Sequence, residues 1–210
     1  MRELQTGLWF WEAPHPSWTP AEAGTDRWGP EVSSYAIDDG ERLLLIDPLA
    51  PPSLVDELAA DRDAVVVLTC PWHERDARSL VEQLGALVFV PPPEEFNDDV
   101  AWLRDDLERL EKEGRVFRPG DRLPVGVEVF PGKKPCDLVL WIDSHRALVF
   151  GDTLVDRGGG LELPVDWLSE GVTREQVLEV LRPLLELPVE WVLPTHGAPT
   201  DRAALERALS

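Results

Sequence analysis

Val65-Val66-Val67-Leu68-Thr69-Cys70-Pro71-Trp72-His73-Glu74-Arg75-Asp76 is the stretch on which the rest of the chain depends. Its β-branched apolar run, bounded by charge before and proline after, predicts a buried strand whose C-terminal end opens into a polar loop. Four ionisable side chains, His73 to Asp76, follow one another in that loop, and Cys70 adds a thiol with metal-binding or nucleophilic capacity. A solvated turn after a strand carries similar residues, so the loop alone leaves both a functional and a merely polar reading open.

Upstream, Gly7 to Trp11 reads as a strand, followed by a proline- and glycine-broken excursion to Pro30 that holds Trp18 and Trp28. Val32 to Ile37 and Arg42 to Ile46 predict two strands joined at Asp38-Asp39-Gly40, with Asp47-Pro48 ending the second and Ser53 capping a short helix. Downstream, Ala77 to Leu84 has helical spacing, Ala86 to Val90 is strand-like, and Pro91-Pro92-Pro93 forces an extended connector. Asn97 is the expected N-cap of a helix with the apolar stripe Val100, Leu103, Leu107 and Leu110. Strands are expected at Val116 to Arg118, Gly126 to Phe130, Asp137 to Ile142 and Ala147 to Phe150, with His145 in the turn joining the last two. Thr173 and Gln176 form a capping-box signature ahead of the stripe Val177, Val180, Leu181, Leu184 and Leu185. Val189 to Leu193 is a further strand, and Thr200 is the expected cap of the closing helix.

Strands and helices interleave with hairpins among them, which argues one α/β (α+β) domain over residues 1–210 with mixed sheets rather than a doubly wound parallel sheet. A formal net charge of −20 repels nucleic acid and anionic membranes, so neither is an expected partner. No basic-then-apolar leader is visible and no apolar run approaches the roughly 20 residues a bilayer demands, which sets the expectation of a soluble, cytoplasmic protein. Two cysteines, Cys70 and Cys136, are too few for a disulfide scaffold. Lysine is scarce, so the pair Lys133-Lys134 stands out.

Several strand ends carry one kind of group: Asp47 after Leu44-Leu45-Ile46, the Cys70 to Asp76 loop, Asp152 after Phe150-Gly151, and His196 after Val192-Leu193. Carboxylates and imidazoles at strand C-termini converge on one sheet edge, where a metal or catalytic site can form. In this order, from Val32-Ser33-Ser34-Tyr35 through Leu44-Leu45-Ile46-Asp47 and Phe150-Gly151-Asp152-Thr153 to Thr195-His196-Gly197, the chain resembles the metallo-β-lactamase fold superfamily along nearly its whole length. The resemblance implies a four-layer αββα sandwich and a cleft that, in the family, commonly holds two zinc ions on a His-x-His-x-Asp-His loop, a Pro-Gly-His, a Gly-Asp and a final His-Gly.

The departures are as informative. Anchored on Thr69, the loop places Cys70, Trp72, Glu74 and Arg75 where the family has His, His, Asp and His, and Pro131-Gly132-Lys133 sets a lysine in place of the ligand of Pro-Gly-His. A slip of one residue would bring in His73 and Asp76 instead, and the sequence leaves both registers open. The resemblance therefore implies a metal-poor or metal-free protein that binds or slowly processes a small molecule, with no cofactor or a single divalent metal, zinc by default. The other reading is a one-metal hydrolase of an ester, thioester or lactone. Candidate metal ligands are His73, Glu74, Asp76, Asp152 and His196. Asp152, His73 and His196 are the catalytic candidates, and Trp72, Lys133 and Arg75 the substrate-binding ones. Trp9, Trp11, Trp18, Trp28 and Trp72 are expected either to wall the pocket or to pack in the core or at a homodimer seam. Arg75 or Lys133 is expected to form a salt bridge with Asp152 or Glu74 in place of a metal, and Cys70 and Cys136 are expected to lie near each other.

Overall fold

The computed structural model describes residues 1–21, 28–93 and 101–210, the side chains of 101–105 excepted. The first sheet has six strands in sequence order: β1 (Arg2–Gln5), β2 (Leu8–Pro14), β3 (Glu31–Asp38), β4 (Arg42–Ile46), β5 (Asp63–Val67) and β6 (Leu87–Phe89). The second is built from β7 (Arg122–Leu123), β8 (Val127–Lys134), β9 (Asp137–Ile142), β10 (Ala147–Phe150), β13 (Trp191–Pro194) and β14 (Thr200–Asp201), ordered β14-β13-β10-β9-β8-β7. A small hairpin of β11 (Val155–Asp156) and β12 (Leu161–Glu162) stands apart. Helices α1 (Ser53–Ala59), α2 (Ala77–Leu84), α3 (Ala101–Lys112), α4 (Arg174–Leu181) and α5 (Arg202–Ala208) complete the described elements.

Side-chain alternation along the strands sorts the apolar residues into three layers. Ile37, Leu44, Ile46, Val65 and Val67 of the first sheet meet Val127, Val129, Leu138, Leu140 and Val149 of the second in the central core. The alternate residues Ala36, Leu43, Leu45 and Val66 face the other way, against Val55 of α1, Leu80 of α2 and Leu110 of α3. On the far side, Val139, Trp141, Leu148 and Val192 pack against Val177 and Leu181 of α4 and Leu205 of α5. The result is the expected αββα sandwich, because strands apolar on both faces must be covered on both.

Some local expectations change. Ser53 is the first residue of α1 rather than its cap, Pro52 preceding it without a side-chain hydrogen bond. Thr200 lies in β14, and Asp201 caps α5 by accepting from the Ala204 amide. Val116 makes a single bridge to Val90 instead of opening a strand. The capping box at Thr173 and Gln176 forms in full, but α4 ends at Leu181, and Val180 is solvent-exposed. Asn97 and Val100 fall outside the described residues. Trp11 is buried under the first helical layer, its indole donating to the Leu49 carbonyl, and Trp9 packs on the same outer face. Both therefore pack in the core, away from the cavity beside His196.

What positions the site is the parallel pairing. β4 runs parallel to β5, and β10 to β13, so the C-terminal ends of all four point the same way. Hydrogen bonds tie the sheets together at that end, among them Ser33 N to Thr195 O, the Ser33 hydroxyl to Gly197 O, Leu138 N to Thr69 O, and the Tyr35 hydroxyl to Pro194 O. The sheets approach so closely that a Cβ at Gly151 would sit 2.5 Å from Thr69 Oγ1 and 2.9 Å from Asp137 Oδ1. Gly151→Ala should cost about 2 kcal/mol through overpacking, seen as a lower midpoint in urea at unchanged slope; an unchanged midpoint would show that the sheets are not clamped here.

Candidate functional site

Asp152 is the hub. It follows β10 through Gly151 and is buried, as are Asp47 after β4 and Thr69 after β5. Its Oδ2 accepts from the Trp72 indole Nε1 at 2.5 Å. Its Oδ1 lies 3.4 Å from His73 Nε2 and 3.2 Å from His196 Nε2; these are ion-pair separations, and neither ring is aligned to satisfy Oδ1 as a hydrogen-bond donor. Burial opposes ionisation of Asp152, but His73 and His196 outweigh it and hold the carboxyl well below the usual carboxylate range.

The loop delivers His73 by a single turn of 3-10 helix, Pro71–His73. His73 Nδ1 meets Asp47 Oδ2 at 2.8 Å, and the same carboxylate oxygen accepts a short hydrogen bond from the Thr69 hydroxyl. The Thr69 amide donates to Asp47 Oδ1 at 2.8 Å, so Asp47 orients both loop residues. Burial disfavours a charged His73, yet Asp47 and Asp152 on either side raise its pKa, against the opposing field of Arg75. His196 is lowered, burial prevailing over the pull of Asp152. The two imidazoles are therefore pushed in opposite directions, His73 toward the cation and His196 toward the neutral ring.

Arg75 takes a left-handed backbone at φ 43°, a conformation non-glycine residues seldom hold. That twist carries its Nη1 to the backbone carbonyls of Ser33, 2.8 Å, and Asp47, 2.7 Å. Lys133, at the end of β8, is buried; its Nζ donates to the Asp152 carbonyl at 2.6 Å and lies 3.9 Å from Asp137 Oδ2 and 4.9 Å from the Trp167 ring centre. The expected salt bridge from Arg75 or Lys133 to the carboxylate of Asp152 or Glu74 is thus not made. Each cation takes main-chain oxygen, and the carboxylate beside Lys133 is Asp137. Asp137 is fully buried, accepts from the Thr153 hydroxyl at 3.0 Å, and is pushed up to about 7 by burial, with Lys133 countering and Asp152 adding to the rise.

Two candidate ligands are not brought in. Asp76 turns away to accept from the Ala50 amide at 2.5 Å, and half-buried Glu74 has Arg78 as the charge that bears on it. Each register expected from the resemblance supplies only part of its set, because the 3-10 turn brings both Trp72 and His73 to Asp152 and Asp76 turns away. Arg75 Nη1 serves the fold while its Nε and Nη2 are buried without a hydrogen-bond partner, and the Trp72 indole N–H serves Asp152. Asp137 escaped the sequence reading; its signal was a carboxylate heading an otherwise wholly apolar strand, four residues after the singular Lys133.

Aromatic rings enclose His196: Trp28 at 5.5 Å and Trp167 at 5.8 Å, both edge-on, and His73 at 5.5 Å. His15 stands against Trp28 at 5.2 Å and is lowered to about 4, by burial first and then by Arg75, His73 and His196. Three of the chain's four histidines are so gathered; His145 sits in its turn with Nε2 3.2 Å from Thr6 O. Beside His196 opens a cavity of about 240 Å³, walled also by Trp28, Glu31, Asp156 and Arg157.

The donor set does not suit a two-metal centre, since Trp72 and Lys133 present N–H groups and no lone pair where two of the first ion's ligands would be. One ion is a different matter: Cys70, His73 and Asp152 each offer a ligand atom, all within 4.8 Å of one another.

No protein-family model matches the chain, and no curated protein does. Solved structures do. A metallo-β-lactamase family protein of Thermus thermophilus is 18% identical over 98% of this chain and 78% of its own, with a TM-score of 0.60. A metallo-β-lactamase of Hirschia baltica is 15% identical over 99% of this chain and 94% of its own, with a TM-score of 0.60. TTHA1623, solved in a di-iron-bound form, is 23% identical over 86% of this chain and 95% of its own, with a TM-score of 0.58. The chain has the metallo-β-lactamase fold, as its strand order and layers already indicated.

Proposed function

We propose that this chain is a metal-poor or metal-free form of the metallo-β-lactamase fold, which binds, or slowly processes, a small molecule in the cleft where relatives of this fold carry metals. The observation that carries the reading is the buried ammonium of Lys133, lodged on the Asp152 carbonyl beside Asp137. Lys133, His73, whose cation its neighbours favour, and part-buried Arg75 offset Asp47, Asp137 and Asp152, a charge balance that metal ions would otherwise supply. Among the described residues, the donors gathered closely enough to hold a metal are Cys70, His73 and Asp152. There it would supply Lewis-acid chemistry, while Asp47 orients His73 and Trp72 orients Asp152.

Ligand access is from the His196 side, where the cavity lies. No helix among the described residues is long and apolar enough to cross a membrane. The test is an ester and lactone assay on the purified protein, with and without added zinc or manganese. The expected result is no turnover that depends on Asp152. A stoichiometric metal together with turnover abolished by Asp152→Ala would reject the proposal.

A further inference from the structure

We propose that the cavity beside His196 selects a small organic cation, an ammonium group on a compact apolar body. The inference rests on the reading of the cleft as a small-molecule site and adds the chemical class of the ligand. Its wall combines the indole of Trp28 and the imidazole of His196 with the carboxylates of Glu31 and Asp156. Arg157, the cation in that wall, is already committed: it donates to Glu162 at 2.8 Å and to Asp166 at 2.9 Å. Two carboxylates thus hold the guanidinium while Glu31 and Asp156 line the wall, and among the described residues a ligand carboxylate or phosphate placed here would find no uncommitted positive partner in the wall.

The cations deeper in the site do not reverse this. Lys133 faces Asp137, His73 stands between Asp47 and Asp152, and Arg75 turns its Nη1 to the carbonyls of Ser33 and Asp47, its Nε and Nη2 being buried. An aromatic wall attracts a cation, and the chain's net charge of −20 concentrates cations around it. A cavity of about 240 Å³ falls below the roughly 300–1,000 Å³ of sites for drug-sized molecules, which sets the compact size.

Benzylammonium, benzyl alcohol and benzoate share one ring and differ in charge, so calorimetric titration of the purified full chain with each isolates the charge preference. Benzylammonium should bind at least about tenfold more tightly than benzoate at low salt, with the alcohol between them. The preference should shrink as salt is raised. The double variant Glu31→Gln, Asp156→Asn should lose the preference while keeping its melting temperature, because the asparagine side-chain carbonyl can still accept from the Gly158 and Gly160 amides that Asp156 now holds. Equal binding of the three probes, tighter benzoate, or no binding by any of them would overturn the proposal. Elemental analysis of the same sample keeps the two readings apart. Two bound metals per chain would overturn the metal-poor reading, whereas an unfavourable probe order in metal-poor protein would overturn the ligand class alone.

Discussion

Lys133→Met should lower the stability of the protein by about 3 to 5 kcal/mol, the usual cost of leaving one member of a buried ion pair without its partner. For a chain of this size that is a fall of roughly 10 °C in melting temperature. The methionine keeps most of the volume but removes both the hydrogen bond to the Asp152 carbonyl and the charge 3.9 Å from Asp137. Asp137, whose Oδ1 already has no hydrogen-bond partner, is then left as an uncompensated carboxyl in a fully buried position. Adding Asp137→Asn should recover most of the loss, since deleting both charges costs far less than deleting one. If Lys133→Met melts like the parent protein, the ammonium is not balancing the site.

Asp137→Asn should by itself change how stability depends on pH, and by an amount on the order of a few kcal/mol, because the carboxyl it removes is raised from 3.8 to about 7. The folded chain holds this proton where the unfolded chain has released it. Its contribution is therefore fully present below pH 4 and is lost as pH rises through about 7. His73, also raised, acts in the same sense, its contribution being present below pH 6.5 and lost as pH rises through its folded value. Asp152 is lowered and acts oppositely, contributing above pH 4 and losing that contribution in stronger acid. His15 and His196, both lowered, cost stability as pH falls below 6.5, which offsets Asp137 between about pH 4 and 6.5. His15 is only half-buried, so solvent screens its share. Urea titrations at several pH values should show the parent chain losing stability from pH 6.5 to 8, and Asp137→Asn losing visibly less. Parallel curves for the two proteins would show that Asp137 does not titrate between the folded and unfolded states in this range.

How much of this was legible beforehand depends on the range of the interaction. Elements set by local periodicity and turn chemistry were readable: the Thr173 and Gln176 capping box, the hairpin at Asp38 to Gly40, and the apolar runs that become β4, β5, β9 and β10. The convergence of Asp47, the loop, Asp152 and His196 was readable too, since each ends a strand and parallel strands share a direction. What the loop does inside the site was not. His73 points inward because a 3-10 turn follows Cys70, and Arg75 points to carbonyls because its backbone is left-handed; both depend on contacts with β3 and β4 that no spacing encodes. The partner of Lys133 was missed for a similar reason. Asp137 faces it across the turn between β8 and β9, where the pairing shifts register between Pro131 and Lys134.

Zinc titration followed by native mass spectrometry tests the central claim most directly, because it counts ions per chain whatever the substrate is. The charge balance made by Lys133, Arg75 and His73 predicts no more than one zinc per folded chain at saturation, with Lys133→Met no better able to take a second. Two zinc ions per chain, both lost in Asp152→Ala, would mean that protein cations have not taken the place of the metals.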